Sequence, residues 1–564
     1  MKTMIKKIVF FVMLLIGVLA CNDSFTEQPA IGALSDDILQ NETGVDLLLT
    51  ATYSVLDGIN LRGGADWYVS GDNWWLDVLS DDAHKGSTDG DQAPLFDLET
   101  YHWSTSNAYI LGKWNGLYAG VNRANNVLSV ISKVEGIDFS EKEAEARFLR
   151  AYFNFELQIM FGNVPFISVQ NFQDQDFNQP NSGPIWDKIE ADFQFAIDNL
   201  PADQSDIGRP NSTTAKAFLG KTKLYQSKWS EALTLFNEVI GSGKYALNAE
   251  FVDNFRLAGD NSAESIFAIQ FTADAGQSLN GNRGGTLNFP GGGPFSSCCG
   301  FYQPSQDLVN AFQVDANGLP LLDTFNQTDV KNDYGIPTSD PFTPETGPLD
   351  PRLDYTVGRR GVDYNGWGMM IGKDWIRAQP ADISGPYLSK KNIYYNGETE
   401  NMGTGSWGQQ RSGINFHIMR YSDVLLMAAE AAVETGDLAT ALDYVNQVRN
   451  RAKNMTYVKN EAGTADAANY SIEPYTSFPD QDFARKAVRM ERRLELAMEG
   501  QRLFDIRRWG NGTTIMNDYF TNEARAITSY AGKNNPYESK HDLLPIPLNA
   551  IDQSEGTLQQ NPGF

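Results

Sequence analysis

The amino-acid sequence predicts a mostly α-helical fold, in which helical hairpins form a scaffold that is interrupted by long loop-rich insertions with a few short strands. Three observations predict this fold. Apolar residues recur at helical spacing in several long segments. Two segments about two hundred residues apart share the residue spacing of a helical hairpin. Residues 276–413 are instead dense in Gly, Pro, Asn and Asp, a composition typical of ordered loops.

The N-terminus has the features of a secretion signal. Lysines precede an apolar stretch at Ile8–Val18, which is too short to span a bilayer. The tetrapeptide Val-Leu-Ala-Cys that ends at Cys21 resembles a bacterial lipobox. We therefore expect residues 1–20 to be a lipoprotein signal peptide, Cys21 to carry lipid, and residues 21–41 to be a tether. The alternative is an ordinary signal peptide with an incidental cysteine.

Helical patterns follow in order along the first half of the chain. The spacing of apolar residues predicts helices at 42–56, 107–130 and 141–161, and Gly162 and Pro165 should end the third of these.

Two later segments match the spacing of a tetratricopeptide repeat, in which a small residue is followed by apolar residues at fixed intervals. The matching residues are Leu219, Gly220, Ala232, Phe236 and Val239 in the first copy, and Leu425, Ala429, Ala441, Val445 and Val448 in the second. Gly436 and Asp437 fall at the turn of the second copy, and Ser422 should be the N-cap of its first helix.

Residues 487–510 predict one long helix with an unusual distribution of charge. A row of like charges at i, i+4 spacing is formed by Glu491, Glu495 and Glu499. We expect arginines of the same segment to neutralise this row, and these are Arg489, Arg492, Arg493 and Arg502. Gly500 inside the pattern indicates that another backbone passes close by, and Gly510 should end the helix.

Four segments of the chain together resemble one protein family. They are RMERRLELAMEGQRLFDIRRW at 489–509, RYSDVLLMAAEA at 420–431, the endings LLPIP and NPGF, and a run containing Arg150, Ala151, Phe153, Phe155, Leu157, Phe161, Gly162, Val164 and Pro165. In their order along the chain they resemble SusD/RagB proteins, surface lipoproteins that capture nutrients beside an outer-membrane transporter. The resemblance implies a helical N-terminal half at 42–275 and a C-terminal half at 276–564 that contains the insertion 276–413.

Composition narrows the classes of function. The formal charge of −26 disfavours binding to nucleic acid. The four histidines form no HExxH motif, and neither a G-x-S-x-G motif nor a P-loop is present. We therefore expect no enzymatic activity, although a pair of carboxylates in a surface glycosidase stays open as an alternative. Acidic residues at 81–82 and 89–91 could hold a structural calcium ion, but a solvated acidic loop is favoured, so no cofactor is expected. Cys298 and Cys299 are expected to be buried or pocket-lining thiols, because adjacent cysteines can bridge only through a strained ring; their redox state stays open.

Aromatic residues in the loop-rich segments suggest a binding surface, because flat rings cover the apolar faces of sugars while polar neighbours bond their hydroxyls. The first candidate set is Trp67, Tyr68, Trp74, Trp75, Tyr101 and Trp103 with Asp72, Asn73, Asp82 and Lys85. The second is Trp367, Trp375, Arg377, Tyr394, Tyr395 and Trp407. Packing against the protein itself is the alternative for each ring, and we expect packing for Trp114 and Trp509, which lie in helical patterns.

These observations and the resemblance lead to one expected function. The resemblance implies an outer-membrane lipoprotein, exposed at the cell surface, whose partner is a SusC-like TonB-dependent transporter. The aromatic loops favour an oligosaccharide or polysaccharide as the ligand. Capture of peptides on the same scaffold is the closest alternative, and a pure interaction scaffold without a small ligand is another.

Overall fold

A computed structural model describes residues 39–58, 67–273, 281–295, 299–391, 393–398, 402–404 and 410–564. Helices dominate this part of the chain, which confirms the predicted fold class. The helices α1 to α17 are Glu42–Tyr53, Trp74–Asp77, Ala93–Glu99, Ala108–Ile131, Ser140–Phe161, Val169–Gln173, Trp186–Asn199, Ser212–Tyr225, Trp229–Gly241, Gln306–Ala311, Leu353–Thr356, Tyr421–Glu434, Leu438–Asn454, Gln481–Leu496, Arg502–Arg508, Gly512–Ala526 and Leu548–Gln553. None of these described helices has both the length and the apolar character needed to cross a bilayer.

The strands are short and pair in twos. The strands β1 to β8 are Ala83–Gly86, Ser265–Ile269, Phe301–Pro304, Val357–Gly358, Leu388–Ser389, Met402–Thr404, Gln410–Ser412 and Phe416–Arg420. The described strands form the antiparallel pairs β1–β3, β2–β8, β4–β5 and β6–β7. Most of them lie in or beside the loop-rich segment, as its composition predicts.

The two segments with hairpin spacing are helical hairpins, α8–α9 and α12–α13. Their predicted apolar residues are buried, and Gly436 has the positive φ of 84° that the turn after α12 requires. Helix α9 packs against α12, so the two hairpins are neighbours in space although they are far apart in the chain. This arrangement is consistent with a tetratricopeptide-like scaffold.

The single long helix predicted at 487–510 is wrong. Helix α14 ends at Leu496 and α15 begins at Arg502, with Gly500 between them at a φ of 72°. A Cβ atom on Gly500 would lie 2.5 Å from the carbonyl oxygen of Asp72, which confirms the close backbone. The Gly500 amide donates to Asp77 Oδ2 at 2.8 Å, so the N-terminal loop occupies the break. Gly510 follows the end of α15, as predicted.

The row of glutamates on and after α14 is neutralised, but not by the arginines of its own segment. Each carboxylate is buried and faces cations from other elements. Glu491 pairs with Arg352 and Arg449, Glu495 with Arg352, Arg420 and Arg451, and Glu499 with Arg420 and Lys391. The prediction was wrong because sequence spacing shows which charges share a helix face and not which distant elements pack on it.

The arginines of α14 and α15 bind other carboxylates instead. Arg493 contacts Asp81, Asp82 and Asp307, and Arg502 also contacts Asp81. Arg492 bridges Asp423 and Asp505. The guanidinium of Arg489 lies over the half-buried ring of Trp509 at 4.7 Å. Helix α14 is therefore the electrostatic link between the N-terminal loop, the insertion and the hairpin α12–α13.

Two further details complete this junction. The N-cap residue of α12 is Arg420, and Ser422 lies within the first turn with its hydroxyl bonded to Arg420 Nη1, so the predicted Ser422 cap is wrong.

His84 on β1 lies between Glu99 at 2.9 Å and Glu523 at 2.7 Å. Burial alone would lower the pKa of His84, but the hydrogen bonds to Glu523 and Glu99 raise it to about 10. The imidazolium thus joins the first and last thirds of the chain.

Candidate ligand-binding groove

The first aromatic set lies against the main core. Trp74 and Trp75 are 1% and 0% exposed, and the indole N–H groups donate to the carbonyl oxygens of Trp67 and Tyr68. Tyr101 is also buried. Trp67, Tyr68 and Trp103 are half-buried and pack on the core. The expected exposure is therefore wrong for Trp74, Trp75 and Tyr101, because the short segments around α2 and after α3 turn these rings inward. The half-buried rings keep part of their surface exposed, so a role for them in ligand binding stays a prediction.

The polar members of the first set are engaged as well. Asn73 donates to Glu156 at 2.8 Å, and Asp82 accepts from Arg493 at 2.8 Å. The Lys85 ammonium donates to the carbonyl oxygens of Gly86, Thr88 and Asp91. Burial raises the pKa of Asp72 to about 6. These contacts hold the N-terminal loop in shape and leave little of the set facing solvent.

The acidic residues considered for calcium face cations instead. Asp81 and Asp82 contact Arg493, Asp89 contacts Lys533 at 2.5 Å, and Asp91 contacts Arg377 at 3.1 Å. In the described ranges, no group of three or more side chains is arranged to hold a metal ion.

Half of the second set builds a small separate core inside the insertion. Trp375 and Tyr394 are buried in it, and Trp367 is half-buried with its indole N–H donating to the Tyr394 carbonyl at 3.1 Å. The Phe295 ring lies 5.0 Å from that of Trp367. The expected exposure is wrong for Trp375 and Tyr394, because their rings pack with Phe295 and other apolar side chains of the insertion.

Three residues of the second set have other outcomes. Arg377 is exposed, pairs with Asp91, and donates to the carbonyl oxygen of Cys299 at 3.3 Å. Tyr395 lines a groove together with Tyr355 and Tyr457. Trp407 lies outside the described residues, as do Cys21 and Cys298. Cys299 is disulfide-bonded, so the expectation of a thiol there is wrong.

A groove of about 710 Å³ lies beside the small core of the insertion. Its walls come from the 3₁₀ helix Phe251–Phe255, the short helix α11 with Tyr355, the loop around Asp363, and the residues that follow α13. The rings that line it are Tyr355, Tyr395 and Tyr457, all half-buried. The groove thus collects aromatic rings from three segments that are distant in sequence.

Hydrogen bonds fix the orientation of two of these rings. Tyr355 donates its hydroxyl to the Thr456 carbonyl at 2.8 Å, and Tyr457 donates to the Lys453 carbonyl at 2.8 Å. Each phenol is therefore anchored at its tip, which leaves the partly exposed ring face as the surface that a ligand can contact. The third ring, Tyr395, has the Arg256 guanidinium 4.4 Å from its centre.

Some charged side chains of the groove are paired with other residues of the protein, and others are not. Arg256 pairs with Glu398 at 3.0 Å, and Lys459 pairs with Asp466 at 2.6 Å. For Asp253 and Glu461, in contrast, we find neither a hydrogen bond to the carboxylate nor an ion pair among the described residues. Burial and the neighbouring Glu250 raise the pKa of Asp253. The groove therefore offers carboxylate acceptors to donor groups of a ligand.

Sequence reasoning identified Tyr395 but missed Tyr355 and Tyr457. Tyr355 lies within the loop-rich insertion and could have been included on the same grounds as Tyr395. Tyr457 follows helix α13 by a few residues, in a segment outside the loop-rich insertion. Only the packing of the end of that hairpin against the insertion brings Tyr457 to the groove.

Comparisons with known proteins agree with this architecture. The family model described as SusD family matches residues 263–564, and another, described as starch-binding and associating with the outer membrane, matches residues 52–224. The chain is 24% identical to SusD-like protein P25 of Formosa agariphila, over 99% of this chain and 98% of that protein. It is also 24% identical to a SusD-like protein of Bacteroides ovatus, over 77% and 71%.

Solved structures show the same fold. One is a SusD-like carbohydrate-binding protein of Bacteroides fragilis, with a TM-score of 0.69 and 23% identity over 92% of this chain and 99% of that one. Another is surface glycan-binding protein A of Bacteroides thetaiotaomicron in complex with laminarihexaose, with a TM-score of 0.66 and 21% identity over 92% and 99%. Since the SusD model covers more than half of the chain and the two sequence halves match in order, this protein belongs to the SusD family.

Proposed function

We propose that this protein is a non-catalytic cell-surface binding protein, which captures an oligosaccharide or polysaccharide and delivers it to a SusC-like TonB-dependent transporter in the outer membrane. The observation that carries the proposal is the groove lined by Tyr355, Tyr395 and Tyr457. The glycan-binding relatives of the same fold support it.

The groove suits a sugar ligand for physical reasons. A pyranose ring has an apolar C–H face that a tyrosine ring can cover, and its hydroxyls donate to carboxylates such as Asp253 and Glu461. Because hydrogen bonds already hold Tyr355 and Tyr457 in place, little side-chain entropy is lost when a ligand binds. The volume of about 710 Å³ is within the range usual for small-molecule sites.

Replacing both Tyr355 and Tyr395 by alanine is expected to weaken glycan binding by at least about tenfold, which corresponds to about 1.4 kcal/mol. Binding would be measured by affinity electrophoresis against a polysaccharide panel, followed by titration with the best ligand. The matched control is Tyr444→Ala, which removes a half-buried tyrosine on α13 away from the groove. Equal affinity of the double variant and the wild type would contradict the placement of the site in this groove.

The same measurements separate the alternatives. Indifference of the wild-type protein to every polysaccharide, together with retention of peptides from a digest, would favour the peptide-binding alternative. New reducing ends after incubation with a retained polysaccharide would indicate a glycosidase. A pure interaction scaffold would bind neither class of small ligand.

Lipid anchoring at Cys21 is the proposed means by which the protein stays at the outer membrane. In cells that lack the partner transporter, Cys21→Ala is expected to move the protein from the membrane fraction to the soluble fraction, because an acyl anchor would no longer form. Fractionation followed by immunoblotting would measure this. The control is Asp340→Asn, which changes an exposed side chain and leaves the predicted lipobox intact. Membrane association of Cys21→Ala equal to that of the wild type would contradict the anchor.

A further inference from the structure

A second cavity, separate from the groove in its lining residues, lies in the loops of the C-terminal half. It has a volume of about 530 Å³ and is enclosed by residues 333–339, the segment 373–386 and Thr528. Apolar surface comes from Ile336, Pro337, Pro380 and Pro386, beside the half-buried ring of Tyr334. Such walls suit a ligand with an apolar face rather than a ligand that carries many charged groups.

One wall of this cavity contains a carboxylate without a close partner. Asp333 is only 4% exposed. In the part of the chain that the structure describes, no other residue donates a hydrogen bond to this carboxylate, and Arg360 Nη1 lies 3.9 Å from Oδ2. Arg360 uses its own N–H groups on the carbonyl oxygens of Thr338 and Asp340, at 2.9 and 2.7 Å. The carboxylate therefore keeps acceptor capacity that the described protein groups do not use and that a ligand in the cavity can use.

The backbone around Asp333 leaves room for that carboxylate. Gly372 has a φ of 102°, and a Cβ atom there would lie 2.3 Å from Asp333 Oδ2. Burial raises the pKa of Asp333 despite Arg360 nearby. Both facts describe an acceptor that protein donors have not satisfied although the chain passes close to it.

The remaining charges of the cavity restrict the ligand. Lys373 lines it, with its ammonium donating to the carbonyl oxygen of Ala378 at 2.9 Å, and would repel a cation. Asp333 and Asp374 line it too and would repel an anion. A neutral ligand with hydroxyl donors is therefore favoured, and two adjacent hydroxyls can donate to the two oxygens of one carboxylate.

We propose that this cavity binds a single neutral sugar ring, which donates a pair of adjacent hydroxyls to Asp333 and lays its C–H face on the proline and tyrosine surface. The site is independent of the tyrosine groove. It would hold a free monosaccharide or one residue of a longer chain, and occupation of both sites by one polysaccharide would add avidity.

Titration calorimetry of the purified protein with methyl glycosides of glucose, galactose and mannose tests this site, and laminarihexaose tests whether a ring within a chain can enter. At least one methyl glycoside is expected to bind saturably. Asp333→Asn is expected to weaken that binding at least tenfold, while Asp340→Asn, an exposed carboxylate of the same loop, leaves it unchanged. Laminarihexaose binding that Asp333→Asn also weakens would assign the site to rings within chains, whereas an effect on methyl glycosides alone would assign it to free monosaccharides.

A second variant distinguishes loss of the binding site from a folding defect caused by Asp333→Asn. Ser339→Trp places a large side chain at the exposed rim of the cavity and leaves Asp333 itself unchanged, and it should block the same ligand. Absence of binding by all three methyl glycosides, or binding that neither variant weakens, would overturn the proposal. The variant with Tyr355 and Tyr395 replaced should still bind the methyl glycoside. Loss of polysaccharide binding in that variant would therefore not contradict the proposed second site.

Discussion

Replacing Glu495 by alanine is expected to lower the free energy of unfolding by about 3–5 kcal/mol, the usual cost of breaking a buried ion pair. Glu495 is completely buried and contacts Arg352, Arg420 and Arg451, which come from the insertion, the start of α12 and helix α13. Burial alone would raise the pKa of Glu495, but these three arginines hold it well below its usual range. Removal of the carboxylate leaves three desolvated cations with fewer partners.

Urea denaturation of the wild type and the variant would measure this loss, with the midpoint and slope compared separately. The matched control is Asp482→Ala on the same helix, because Asp482 is 87% exposed and its pair with Arg485 should contribute no more than about 1 kcal/mol. A shift of the midpoint for Glu495→Ala no larger than that of the control would show that α14 is not an electrostatic hub.

Replacing Arg493 by methionine is expected to have a similar effect, of about 3–5 kcal/mol, through the opposite charge. Arg493 lies 2.8 Å from Asp82, 2.9 Å from Asp307 and 3.2 Å from Asp81. Methionine keeps most of the volume but removes the positive charge that these carboxylates share. Arg502 still contacts Asp81, so the repulsion should concentrate on Asp82 and Asp307.

This loss should depend on pH in a defined direction. Burial, together with the charges of Asp81 and Glu523, already raises the pKa of Asp307 to about 7, and burial raises that of Asp82. A carboxyl whose pKa is raised in the folded state binds its proton more tightly there than in the unfolded chain. Its ionisation therefore lowers the free energy of unfolding progressively as pH rises from 3.8 to about 7. The difference between Arg493→Met and the wild type should therefore be smaller at acidic pH than at pH values above that window.

Denaturation midpoints at pH 5 and pH 8 would check the dependence. Adding Asp307→Asn to Arg493→Met should recover part of the lost stability at pH 8, because one of the unpaired charges is removed. A loss of stability that is the same at both pH values, and that Asp307→Asn does not relieve, would indicate lost packing rather than unpaired charge.

Local patterns predicted the helices well and their partners poorly. Helical spacing identified the hairpins α8–α9 and α12–α13, and Gly510 marked the end of α15. The break between α14 and α15 was missed because the apolar spacing continues through it; Met498 and Gly500 adopt positive φ only where the N-terminal loop inserts. The glutamate row was recognised, but its cations come from elements up to about 140 residues away.

The binding surface shows the same limit. A tryptophan in a polar loop has the same sequence context whether its ring faces solvent or packs inside the protein, and Trp74 and Trp75 are buried. Tyr457 looks unremarkable in its own segment, yet it lies in the groove with Tyr395. Burial of a ring depends on which distant segment packs against it, and spacing within one segment carries no such information.

The sequence by itself determined the helical scaffold, the hairpins and the resemblance to the SusD family, because helix periodicity and ordered motifs are properties of neighbouring residues. Only the tertiary structure decided which charges pair on α14, which aromatic rings turn inward, and which tyrosines meet in a groove. These outcomes depend on contacts between residues far apart in the chain, and the free energy of burying a ring or a charge is set by those contacts.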